Sequence, residues 1–221
     1  MKAALGTAAI LLMSVFCAMP ATAQQQSPTS SRMRAQMGPM GMHHGPATLQ
    51  STLDFQLTIV EHEFEGAADA MPEDKYGFAP TNGDFKGVRT FAQEVKHVAA
   101  ANDRFFGAIL GHPPAKAPNY FEQENGPDSI KTKAQIMQYL RDSFAEGHKA
   151  IASITNENAF QPLSDAPVPF LNTRAAIAIF ACVHANDHYG QMVEYLRDNG
   201  IVPPASRKRP LANPPGPHAG K

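Results

Sequence analysis

Four stretches of this chain place apolar side chains at intervals of three and four residues, which is the spacing of one face of an α-helix. The alternation of apolar and polar residues that marks a half-buried strand is nearly absent. An amphipathic helix must bury its apolar face against another element, and four such helices can do so together. The chain is therefore predicted to be an all-α four-helix bundle, with long connections between helices one and two and between helices two and three.

The predicted helices end at residues that cap or interrupt a helix. The apolar stripe of helix two is predicted to run from Val88 to Ile109. The predicted limits are as follows: helix one, about residues 47–70, before Pro72; helix two, about residues 85–110, before Gly111; helix three, about residues 129–154, starting near Asp128 or Ser129; and helix four, from a cap at Asn172 or Thr173 to Asn199 and Gly200.

Composition fits one soluble domain of ordinary size. The 221 residues are 43% hydrophobic, and 19 basic side chains balance 20 acidic ones. No basic surface that would bind nucleic acid is predicted, since the cluster Arg207–Lys208–Arg209 opens a proline-rich tail, residues 207–221, where it is expected to be solvated.

The N-terminus has the pattern of an export signal. Residues 1–23 contain one lysine, an apolar stretch and the small-residue sequence Ala21–Thr22–Ala23, which predicts cleavage after Ala23. A retained membrane anchor or a lipid attached to Cys17 are the alternatives, but the apolar run is short and Phe16 is bulky for a lipoprotein signal. The mature protein is predicted to be periplasmic or secreted, without a membrane anchor. Cys182 then has no partner for a disulfide within the chain and is expected to be buried in the core.

Residues 24–46 are predicted to be a flexible linker rich in Gln, Pro and Met. The segment from Met33 to Gly45 holds four methionines and two histidines, which are ligands that suit Cu(I). A copper site in this segment is the alternative to a simple tether.

His184 and His188 lie one helical turn apart in the sequence HANDHYG, on the predicted inward face of helix four. Two imidazoles at this spacing can share one metal ion, but the pair alone is a weak motif and needs a third ligand. His97 on helix two and His148 on helix three both lie near an apolar edge and remain candidates. The other histidines are expected at solvated positions: His62 on the polar face of helix one, and His43, His44, His112 and His218 in linker, loop or tail.

Two longer segments resemble the DinB family of four-helix bundles: RTFAQEVKHVAAAN, residues 89–102, and HANDHYGQMVEYLRDNGIVPPASR, residues 184–207. The run MPEDKYGFAPTNGDFKGVRTF is similar to the loop that joins the first two helices in that family, so the resemblance spans about residues 47–206. It implies a bundle of DinB type and a three-histidine metal site formed by His97, His184 and His188.

This resemblance also implies a divalent transition metal, with Zn or Ni preferred and Fe or Cu also suited to imidazole ligands. Three histidines leave positions open on the ion, as in catalytic sites. The expected activity is that of a hydrolase or a thiol-dependent transferase acting on an unspecified small molecule, and the alternative is a non-catalytic metal-buffering protein. Asp187 stands where relatives commonly have Glu, and Asp187 or Glu94 is a candidate base. A homodimer through helix four is also expected, as in many relatives.

Overall fold

The computed structural model describes residues 47–81, 86–112, 124–167 and 170–207. The predicted signal peptide, the linker with its Met and His residues, and the tail after Arg207 lie outside the described residues and stay predictions. The chain divides into two units, residues 1–44 and 45–221, and all described residues belong to the second.

The described residues form four long α-helices and contain no β-strand, which confirms the predicted all-α four-helix bundle. Two short 3₁₀ helices follow the first and the last α-helix, and one isolated antiparallel bridge joins Pro162 and Thr173. The α-helices are α1, Leu49–Ala70; α2, Phe91–Leu110; α3, Lys133–Ala152; and α4, Arg174–Asp198.

A threonine caps the N-terminus of every α-helix, because its hydroxyl accepts a hydrogen bond from a backbone N–H that the helix itself cannot satisfy. Thr173 was one of the two predicted caps of helix four, and it is the cap observed. The predicted starts of helices two and three, at residues 85 and 129, were wrong. In each case a capping box placed later in the chain sets the start: Thr90 with Gln93 for α2, and Thr132 with Gln135 for α3.

Val88 therefore precedes α2 and is 37% exposed, although the apolar spacing predicted that it would face the core. Most other apolar residues that recur at intervals of three and four within the helices are buried. The buried apolar side chains from α1 to α4 include Leu53, Leu57, Val60, Phe64, Val95, Val98, Phe105, Ile109, Met137, Leu140, Phe144, Ile151, Ile177, Ala181, Met192 and Tyr195. Cys182 is also buried, as predicted.

Each α-helix packs against two others, in the order α1, α3, α2, α4 around the bundle. Helices α2 and α4 are antiparallel: Phe91 at the start of α2 lies near Tyr195 at the end of α4, and Phe105 lies near Phe180. The connections between α1 and α2, residues 71–90, and between α2 and α3, residues 111–132, are long, as predicted, and residues 153–173 form a third of similar length. This arrangement places the middle of α4 against the first half of α2.

None of the helices in the described ranges is both long enough and apolar enough to cross a membrane.

Candidate metal centre

Three histidine rings meet between α2 and α4. His97 lies in the second turn of α2, while His184 and His188 lie one turn apart in the middle of α4. The ring centroids are separated by 5.0 Å from His97 to His184, 4.6 Å from His97 to His188 and 4.6 Å from His184 to His188. His97 and His188 are each only 6% exposed. The three residues that the sequence predicted as ligands therefore form a compact, largely buried group.

Hydrogen bonds fix which nitrogen of two of these rings carries a proton. His97 Nδ1 lies 2.5 Å from the backbone carbonyl of Glu124, and His188 Nδ1 lies 2.6 Å from Oε2 of Glu94. A carbonyl oxygen and a carboxylate can only accept, so the imidazole N–H must donate in both bonds. In a neutral imidazole the proton on Nδ1 leaves the lone pair on Nε2 free.

The three rings are placed as ligands of one ion would be. His97 Nε2 lies 3.1 Å from His184 Nε2, and one ligand nitrogen from each of the three rings lies within 4.8 Å of the other two. Two imidazole nitrogens that each lie about 2.0–2.1 Å from a shared ion are separated by about 3 Å. His97, His184 and His188 thus fit a metal ion, and within the described ranges they are the only such group of histidine, cysteine or acidic side chains.

The environment keeps two of the rings neutral, as ligation requires. Burial, and after it the neighbouring His188, His97 and Arg89, lower the pKa of His184 to about 3. Burial also lowers the pKa of His97, against the opposing effect of its bond to the Glu124 carbonyl. In addition, the buried Nδ1 of His184 has no hydrogen-bond partner among the residues that the structure describes.

Residues 124–127, in the connection between α2 and α3, form a loop that holds the His97 ring in place. Its carbonyl acceptor belongs to Glu124, whose carboxylate lies 3.2 Å from Arg89, just before α2. The Arg89 Nε also donates to Asn125 at 2.7 Å, and Lys96 donates to the carbonyl of Pro127 at 3.1 Å. Two contacts of Arg89 and one of Lys96 therefore hold this loop beside His97.

Gly126 allows this loop to lie close to α2. Its φ is +70°, and a Cβ there would lie 3.0 Å from the Cβ of Lys96. Residue patterns did not predict the loop as part of the site, because the group that contacts His97 is a backbone carbonyl, which every residue has. The glycine was the one local signal.

Aromatic side chains pack on the other side of the site. Phe105 from α2 and Phe180 from α4 lie 5.8 Å and 6.1 Å from the His184 ring and 5.3 Å from each other. Phe105 is buried and Phe180 is half-buried. An apolar environment of this kind limits access of water and lowers the local dielectric constant around a metal site.

The other candidate residues lie elsewhere. His148 is bonded to Asp54 at 2.7 Å and to Glu61 at 3.0 Å, between α1 and α3, so it is not part of the three-histidine group. His62 and His112 are exposed, as expected. Asp187 is exposed on α4, where its carboxylate accepts a hydrogen bond from Gln191 at 3.0 Å. The structure thus brings Glu94, not Asp187, into contact with a ring of the group, and a catalytic role for Asp187 stays a prediction.

The chain matches a protein-family model. The family model described as DinB superfamily matches residues 56–192, which is more than half of the 221-residue chain and contains all three histidines. No curated protein matches the chain.

Proposed function

The chain belongs to the DinB superfamily, and on that premise we propose that it is an exported, metal-dependent hydrolase whose ion is held by His97, His184 and His188. The observation that carries this proposal is the position of the three ligand nitrogens within 4.8 Å of one another. Two of the rings are fixed by bonds from Nδ1, so their free nitrogens need no rearrangement to ligate an ion.

The number of histidines supports catalysis over a structural role. Structural zinc sites usually have four protein ligands, whereas catalytic sites have three and leave a position for water or substrate. When bound, a divalent ion supplies Lewis acidity to a water molecule, a thiol or a substrate carbonyl. The residues of this chain hold and orient that ion, and the aromatic pair Phe105 and Phe180 limits access of water beside His184.

Hydrolysis is preferred to thiol transfer because of the N-terminal sequence. The signal pattern of residues 1–23 favours export, and low-molecular-weight thiols are maintained chiefly in the reducing cytoplasm. Water is available in every compartment. Zn or Ni remains the preferred ion, since imidazole ligands suit both.

Hydrolysis is tested by incubating the zinc-loaded full chain with a panel of p-nitrophenyl esters and phosphates and chromogenic amides. Turnover that is lost with a chelator, restored by zinc and absent in His97→Ala supports the proposal. His62→Ala is the matched control, because it removes an exposed histidine from α1. If thiol-dependent turnover of electrophiles replaces hydrolysis, the transferase assignment is correct instead.

A non-catalytic metal buffer is the second candidate, and the four methionines and two histidines between Met33 and Gly45 favour it. Deletion of residues 24–46 distinguishes the two. A buffer that uses this segment loses Cu(I) affinity on deletion, whereas an enzyme with its site between α2 and α4 keeps its metal and its activity.

A further inference from the structure

Glu94 is a buried carboxylate in the first turn of α2. It is 2% exposed, and its Oε2 lies 2.6 Å from Nδ1 of His188 on α4. A carboxylate buried in a protein interior is costly unless it is paired and hydrogen-bonded. The contact with His188 supplies both a donor and, when that ring is charged or ligates a cation, an opposite charge.

We infer that Glu94 is a positioning residue that fixes the tautomer and orientation of His188 and thereby strengthens metal binding, an inference that rests on the proposed three-histidine site. Because the carboxylate can only accept, it holds the proton of the neutral ring on Nδ1 and keeps the Nε2 lone pair free for the ion. A carboxylate behind a ligand histidine also raises the basicity of the ligating nitrogen.

The same contact argues against Glu94 as a base that acts on substrate directly. Its carboxylate contacts Nδ1 of His188, not the Nε2 that would bind the ion, and it is almost wholly buried. A group in that position affects the reaction through His188. The role inferred here for Glu94 therefore differs from that of catalytic base, which the sequence suggested for it.

The groups that accept hydrogen bonds from His97 and His188 differ in charge. His97 donates to a neutral backbone carbonyl, whereas His188 donates to a carboxylate. Glu94 is thus the only carboxylate among the described residues that contacts a ring of the group. With a divalent ion and three neutral imidazoles, it would offset part of the positive charge of the site.

Glu94→Gln tests this role with almost no change in side-chain volume. A glutamine amide can accept from Nδ1–H or donate to a bare Nδ1, so it no longer selects one tautomer, and it carries no charge. We expect zinc affinity, measured by competition with a chromophoric chelator, to fall about 10–100-fold. The matched control is Glu194→Gln, which makes the same change at an exposed residue of α4 that pairs with Arg197, and its zinc affinity should equal that of the wild type. Circular dichroism of both variants checks that the bundle is folded.

A second readout uses metal-free protein. With ¹⁵N-labelled histidine, the NMR spectrum of the wild type should show His188 protonated on Nδ1, and the Glu94→Gln spectrum should show a mixture of tautomers. Equal zinc affinity and an unchanged tautomer in a folded Glu94→Gln variant would overturn the inference about Glu94 but leave the proposed three-histidine site standing. If the wild type itself does not bind zinc or any other divalent ion, the proposed site fails and this inference fails with it.

Discussion

His188 Nδ1 lies 2.6 Å from Glu94 Oε2, and the two residues are 94 positions apart in the chain. The contact joins the first turn of α2 to the middle of α4 and leaves Nε2, the other nitrogen of the ring, free to bind an ion. His97 is held in a comparable way by the Glu124 carbonyl. The rings of His97 and His188 are therefore oriented by groups that are not themselves proposed metal ligands.

Gly126→Ala should weaken metal binding. Alanine at φ +70° costs about 1–2 kcal/mol, and its Cβ would also press on Lys96 at 3.0 Å, so the loop that presents the Glu124 carbonyl must shift. The control is Gly87→Ala, which has a similar φ of +84° but no atom within 4 Å of the new Cβ. Thermal unfolding should show a loss of stability in both variants, and chelator competition should show lower zinc affinity in Gly126→Ala only. Equal affinities in the two variants would mean that the loop does not orient His97.

His148 should make the stability of the bundle depend on pH in the alkaline range. Its bonds to Glu61 and Asp54 raise its pKa to about 9, from an ordinary value near 6.5. Because the folded-state pKa is the higher one, the stabilisation is complete below about pH 6.5 and is lost as the pH rises through about 9. Chemical denaturation at pH 6.5 should show His148→Gln less stable than the wild type by about 1 kcal/mol, with the difference shrinking by pH 10. A difference that is constant with pH would show that the ring is not charged.

Gly147→Ala should destabilise the core between α1, α2 and α3. A Cβ at this position would lie 2.7 Å from a ring carbon of Phe106 and 2.9 Å from a methyl group of Leu57, so both side chains would have to move. The expected loss is about 1–3 kcal/mol. Gly190→Ala serves as the control, because it is an exposed helical position with nothing within 4 Å, and it should gain about 0.5–1 kcal/mol from helix propensity. Urea denaturation compares the two, and equal effects would mean that Gly147 does not provide a close approach.

The helices and their inward faces could be predicted from the sequence because helical periodicity is local. The start of α2 could not, since the apolar spacing continues back through Val88, and only the Thr90–Gln93 capping box makes the helix begin at Phe91. The local pattern also left His97 and His148 equivalent as third ligands, and family resemblance chose between them. The structure gives the physical reason: His148 faces two carboxylates, Asp54 on one side and Glu61 on the other, while His97 faces α4.

The supports of the site were harder to predict than its ligands. Glu94 was a candidate base from the sequence, but its contact is with His188 on another helix, and no local pattern encodes that pairing. The Glu124 carbonyl has no residue-type signal at all. The contacts that orient the rings are long-range, and they follow from the packing of α2 against α4 and from the return of the loop across α2.

The central claim is that one ion is held between α2 and α4 by His97, His184 and His188. Elemental analysis of the purified, dialysed full chain tests it most directly, with His188→Ala beside His148→Gln, a variant that loses a histidine outside the three-ring group. We predict about one divalent transition metal ion per chain in the wild type and in His148→Gln, and almost none in His188→Ala. Equal metal content in all three proteins would contradict the claim.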